Sequence, residues 1–266
     1  PASLYALLGV HFWHSRWLAP TKAPRQGLLP WERIVMLGAL VAHGFALHSV
    51  FFSGTGIHFG FSVALSLMLW LAMLFYWIES LYARLEGLQT LAMPAASVCA
   101  LLPAFFPDQH LLANTSSPLF RAHFVVAMLA YSLFTLAALH ATLMAVAERR
   151  LHGARLTRAF ASLPPLLTME TLLFRLIGIA FVLLTLTVGS GILFSEALFG
   201  KAFRFDHKTV FAIISWVLFG SLLVGRHAWG WRGKKALYWT LAGFAALMLA
   251  YVGSRFVAEV LLARPA

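Results

Sequence analysis

Eight long apolar runs, joined by short connections that hold most of the cations, leave this chain few ways to fold. They lie at about Ala2–Leu18, Arg33–Phe52, Ile57–Ile78, Leu88–Phe106, Ala122–Ala147, Leu172–Phe194, Thr209–Val224 and Ala236–Leu262. Crossing the hydrocarbon core of a bilayer takes roughly 20 apolar residues in a helix, which is the scale of these runs. They are continuous and rich in Leu, Ala and Phe, whereas barrel strands alternate over about ten residues, so helices are expected. Hydrophobic residues make up 61% of the 266 and charged residues 11%, with a mean hydropathy of +0.83, which leaves no room for a sizeable soluble domain. The expected fold is all-α and integral to the membrane: one polytopic domain over residues 1–266, a bundle of about eight transmembrane helices.

The charges orient this bundle. When the connections alternate between two sides, thirteen of the 20 Lys and Arg residues fall on one side. The other side holds Arg121, Lys201, Arg204, Lys208, Arg255 and Arg264, and Arg175 lies near a helix end of the richer side. The positive-inside rule makes the richer side cytoplasmic, so both termini are expected in the periplasm of a bacterial inner membrane. The same rule accounts for the net charge of +11 without a nucleic-acid partner; the bilayer itself is the partner. Cys99 is the single cysteine, which excludes an intramolecular disulfide or a Cys-x-x-Cys pair. The first run is barely one span and begins at Pro1, so further residues are expected before it. The long connection Glu148–Glu170, with Pro164-Pro165, is expected to form an amphipathic overhang and then a break.

Of the eleven histidines, two open helices on the cation-poor side: His123 before the fifth run and His207 before the seventh. Neutral imidazole is an axial ligand of haem iron, and two imidazoles at one height on neighbouring helices suit a porphyrin between them. The alternative is a pair of interfacial histidines bonded to water or backbone. Arg121, Lys201, Arg204 and Lys208 flank the two on the side where cations are disfavoured, and they suit either haem propionates or lipid headgroups. Phe199, Phe203 and Phe205 in the same loop suit packing on a macrocycle. His43 and His48 lie five residues apart on the second run, too far around the helix to share a face, and His48 is the one near the His123 level. His140 lies about 25 Å further along the helix from His123 and cannot serve the same iron. His58, His110, His152 and His227 fall in or beside connections. Glu259, one turn after Arg255, is expected to pair with it. No nucleophile elbow, zinc helix, phosphate-binding glycine loop or intramembrane carboxylate pair occurs.

Several longer stretches resemble a known family. They are His123-Phe-Val-Val-Ala-Met-Leu-Ala-Tyr-Ser-Leu-Phe-Thr-Leu-Ala-Ala-Leu with Glu148-Arg-Arg-Leu, Leu163-Pro-Pro-Leu-Leu-Thr-Met-Glu-Thr-Leu-Leu-Phe-Arg-Leu, His207-Lys-Thr-Val-Phe, and the segment from Gly230-Trp-Arg-Gly to Tyr251-Val-Gly-Ser-Arg-Phe-Val. Over nearly its whole length the chain resembles the cytochrome c assembly membrane proteins, the CcsA, ResC and CcmC relatives, and within them the YpjD-like and HemX-like subgroup. The resemblance implies a haem-handling membrane protein whose extracytoplasmic histidines flank a Trp-rich loop. His123 falls on the first of those histidine positions. The chain departs from the pattern elsewhere: the Trp-Asp loop is reduced to Phe199-Gly-Lys-Ala-Phe-Arg-Phe-Asp206, with Asp206 alone retained. His207 stands where the family usually has proline, Val224 where it has a histidine in the seventh helix, and a second external histidine after the eighth helix has no counterpart in these residues.

The expectation is therefore a haem-binding or haem-handling inner-membrane accessory protein, not an enzyme by itself, with haem b held non-covalently by His123 and His207. Arg121, Lys201, Arg204 and Lys208 would meet the propionates, Asp206 would stand beside the site, and His48 is the reserve ligand. Its partners would be haem and other membrane proteins of cytochrome c maturation or tetrapyrrole metabolism. The rival expectation is a cofactor-free scaffold that kept the fold and binds another membrane protein; a transporter using His43 and His48 is a third.

Overall fold

A computed structural model of the chain describes residues 1–18, 27–52, 58–82, 87–107, 111–112, 115–152, 165–195 and 206–262. Each of the eight apolar runs forms a helix, and no β-strand occurs among the described residues beyond an isolated bridge between His58 and Leu111. We number them α1 (Ala2–Phe12, prolonged by a π-helical segment Trp13–Leu18), α2 (Pro30–Phe51), α3 (Phe61–Tyr82), α4 (Gln89–Phe105), α5 (Pro118–His152), α6 (Leu166–Leu193), α7 (His207–Trp229) and α8 (Lys234–Met248, continuing with π-helical turns to Leu261). Six of them are long and apolar enough to cross a membrane: α2, α3, α5, α6, α7 and prolonged α8. The protein is an integral membrane helical bundle. The two shorter helices, α1 and α4, pack against each other. Helix α4 has 17 residues and carries Pro94 and Pro103, each of which removes a backbone donor from the ladder.

Local chemistry places the helix ends. Pro30 opens α2 at a position where its missing N–H costs nothing, and the Glu32 carboxylate folds back to accept from the Leu29 amide at 2.7 Å. Pro165 precedes α6, which starts six residues before its apolar run. Helix α5 extends beyond its run at both ends, from Pro118 to His152. Most of the connection between α5 and α6, where an amphipathic overhang is expected, lies outside the described residues. Asp206 caps α7, and Gly230, at a φ of 63° open to glycine, ends it.

Helix α5 is the hub, packing on α6, α3 and α8. Its buried face carries the small residues Ala127, Ala130, Ala137 and Ala141 around Phe134, so neighbouring backbones approach closely and Phe134 stacks on Phe219 of α7. Outward faces are apolar instead of polar: Phe45 on α2, Val182 on α6 and Val217 on α7 are exposed. That inversion of the soluble pattern is what a lipid solvent demands. Several threonine hydroxyls within the spans return to their own helix, as Thr135 does to the Tyr131 carbonyl and Thr187 to that of Leu183, both at 2.8 Å, while the Ser215 hydroxyl of α7 donates to the Gly243 carbonyl of α8 at 2.9 Å.

Candidate functional site

The two ends of the bundle differ in how charge is handled. At the end where α2, α6 and α8 begin, buried carboxylates are neutralised. Glu32 is 1% exposed and accepts from Arg16 and from the His11 ring, each at 3.0 Å. Glu170 pairs with Arg226, whose guanidinium lies over the Phe174 ring. Trp231 fills the adjoining corner between Trp229, Trp239 and the Lys235 ammonium.

At the opposite end stand His123, His207, Lys208 and Arg121. A chain of contacts ties α7 to α5 there. Lys208 stands over the Tyr251 ring at 6.0 Å, the Tyr251 hydroxyl donates to the Phe59 carbonyl at 3.2 Å, and the Phe59 ring meets the edge of Phe124 at 4.8 Å. Phe124 follows His123, so the starts of α5 and α7 share one end of the bundle, as the topology expects.

His123 sits in the second turn of α5, half-buried against the last turn of α6. Its Nδ1 lies 2.8 Å from the Ser190 hydroxyl, which itself donates to the Thr187 carbonyl at 3.1 Å. In the tautomer with its proton on Nδ1, the ring donates to Ser190 and carries its lone pair on Nε2. A hydrogen bond to one ring nitrogen that fixes the tautomer of the other is the usual support of a ligating histidine. Gly191 leaves room beside the ring: a Cβ there would come to 3.7 Å from His123 Cε1.

His207 is exposed in the first turn of α7. Asp206 accepts from the Thr209 amide at 2.9 Å and the Thr209 hydroxyl at 3.0 Å. Partial burial alone would raise its carboxyl, but these bonds and the neighbouring Lys208 hold it below the usual carboxylate range. Its immediate role is to cap α7 and so position His207. Lys201, Arg204 and the loop aromatics Phe199, Phe203 and Phe205 lie outside the described residues.

Arg121 and His48 belong to a different surface. Successive helical residues turn by about 100°, which puts Arg121 roughly 160° around α5 from His123. The Arg121 Nε donates to the Thr115 carbonyl at 2.7 Å on the side facing α2 and α3. His48 is exposed against Phe52 at the end of α2. His43 turns inward, with Nε2 2.9 Å from the Ser66 hydroxyl and its ring against Tyr5, a packing arrangement between α1, α2 and α3. His140 is 2% exposed and has no hydrogen-bond partner for either ring nitrogen among the described residues. The expected Arg255–Glu259 pair is present at 4.0 Å, and Glu259 also accepts from the Phe61 amide at 3.3 Å. Ser190 escaped the sequence reading, because nothing but the rotation of two helices brings it to His123.

Among the described residues no three His, Cys, Asp or Glu side chains converge on one point, so a bare metal ion finds no multidentate cage here. A prosthetic group that brings its own equatorial ligands needs only one or two imidazoles from the protein.

Comparison with known proteins agrees with this organisation. The chain is 32% identical over 161 residues to the inner membrane protein YpjD of Escherichia coli K12, covering 60% of each chain. It is 33% identical over 94 residues to the cytochrome c biogenesis protein CcsA of Heterosigma akashiwo, covering 35% of this chain and 29% of CcsA. Identity to the CcsA of Gloeobacter violaceus is 30% over 92 residues, 35% of this chain and 27% of that protein. The chain thus aligns with three fifths or less of the length of these relatives. No solved structure matches. The profile described as "Cytochrome C assembly protein" matches residues 31–262, from the start of α2 to the end of α8, and on that match the chain belongs to the cytochrome c assembly protein family.

Proposed function

We propose that this chain is a haem-handling accessory protein of the bacterial inner membrane, related to cytochrome c maturation, and that haem b is held non-covalently at the His123 end of the bundle. The observation that carries this reading is the half-buried His123 imidazole near the start of α5, its Nδ1 2.8 Å from the Ser190 hydroxyl of α6, the kind of support a histidine that ligates through Nε2 receives. His207 supplies the second imidazole, Asp206 positions it by capping α7, and Lys208 with Lys201 and Arg204 meets the propionates. When bound, the haem iron supplies ligand exchange and one-electron chemistry. The protein's own residues orient it, neutralise its carboxylates and keep one face against the apolar bundle. Arg121 stands outside this ligand set because it lies on the α2 and α3 side of α5, and His48 because it is exposed against Phe52 at the end of α2. The termini and the His123 end lie on the periplasmic side in this reading, and the partners are other membrane proteins of the same process.

Family membership and the likeness to proteins named for cytochrome c biogenesis support the haem assignment over the scaffold alternative. The test is the visible spectrum of the purified full chain after haem supplementation. A sharp Soret band, with split α and β bands on reduction, is the expected six-coordinate result. A featureless spectrum from folded protein would favour the scaffold.

A further inference from the structure

A second surface at the same end of the bundle is unrelated to the His123 ring. A cleft of about 470 Å³ lies between the end of α2, α3 and the first turns of α5. That volume is within the roughly 300–1,000 Å³ of small-ligand sites. Its walls are apolar, with Phe51, Leu67, Leu71, Phe124 and Met128 among them, and its polar residues, Thr115 and Arg121, gather at one end. On α5 the lining runs from Phe120 to Leu129, which at 1.5 Å per residue is about 13 Å, most of the roughly 15 Å depth of one leaflet's hydrocarbon.

We infer that this cleft binds an acyl chain of an anionic phospholipid, with the Arg121 guanidinium on the headgroup phosphate. The rim residues Phe52 and Val125 are exposed, 60% and 54%, on a surface that faces lipid, so the cleft opens sideways into the bilayer. In that solvent an apolar recess fills with chain, because unfilled walls forfeit their dispersion contacts. The charge sits at one end alone, which is the polarity of an amphiphile and not of a neutral hydrocarbon. Arg121 is fixed there by its Nε bond to the Thr115 carbonyl at 2.7 Å, leaving its Nη edge for a charge-assisted, bidentate contact with phosphate. Among the described residues the lining holds no imidazole or thiol, and His123 lies on the far side of α5, so the site is argued independently of the haem proposal.

The full chain, reconstituted in nanodiscs of phosphatidylcholine containing a minor fraction of phosphatidylglycerol and then released for native mass spectrometry, tests this. Wild type should retain phosphatidylglycerol in excess of its share. Arg121→Gln should lower that preference about tenfold, as loss of a hydrogen-bonded charge contact predicts. Met128→Trp, which fills the cleft, should remove the retained lipid; Leu67→Trp fills it from the opposite wall and answers the same question if the first variant is not monodisperse. Equal retention of the two lipids by wild type, or an unchanged preference in a folded cleft-filled variant, overturns the site. Displacement of the lipid by glycerol phosphate without chains would make it a small-anion site, and displacement by haemin would make it a porphyrin site; either result overturns the proposal. None of these readings uses the His123 spectrum, so the two proposals fail separately.

Discussion

The two ends of the bundle solve opposite problems. At the Glu170 end two buried acids have their cations: Glu32 has Arg16 and His11, Glu170 has Arg226, and indoles close the corner around Trp231. At the His123 end stand a half-buried histidine bonded to Ser190, an exposed histidine, Lys208 and, on the other face of α5, Arg121. The difference teaches where stability and function separate. Satisfied buried charge locks helices together, whereas accessible imidazoles with cations beside them suit an incoming anionic group.

The comparison breaks most visibly at Glu32. Replacing it with Leu strands the Arg16 guanidinium, whose side chain is only 6% exposed, and should cost about 3–5 kcal/mol. Denaturant unfolding in detergent reads the loss, and the haem spectrum of whatever remains folded should not change. Gly225→Ala comes next, because a Cβ there runs into the Trp231 indole held by its neighbours. The expected cost is about 1–3 kcal/mol, again with no effect on the haem spectrum. His140→Leu should act in the other direction. It removes a buried imidazole without partners among the described residues, and a rise of about 1 kcal/mol is expected in the same unfolding assay. A folded variant that loses haem would instead make His140 part of the site.

The smallest effect belongs to Asp206→Ala, which removes the α7 cap and should cost about 0.5–1 kcal/mol. Because the folded carboxyl is held below its ordinary value, this contribution is complete above the unfolded value of about 4 and fades as pH falls through the lowered native one. Wild type and variant should therefore converge in stability under acid and separate toward neutral pH. Divergence under acid would show that the cap is not the source.

The helices were legible because a bilayer imposes one length scale, and apolar runs of that length have little choice but to be helices. The shared end of His123 and His207 followed from alternation of the connections. Side-chain direction was not legible. Arg121 and His123, two residues apart, looked like one site in the sequence and lie on different faces of α5. Ser190 is 67 residues from its histidine and Arg226 is 56 from Glu170, so those pairs exist only once the helices are packed. The lipid-facing cleft needs three helices at once, and each wall alone reads as ordinary apolar surface.

The central claim is that His123, and not a deeper histidine, carries the haem. The most direct measurement is the reduced-minus-oxidised spectrum of folded, haem-supplemented His123→Ala beside wild type and His140→Leu. His123→Ala is expected to lose the split six-coordinate bands or all bound haem, while His140→Leu keeps them. A monodisperse His123→Ala protein with the wild-type spectrum would contradict the claim.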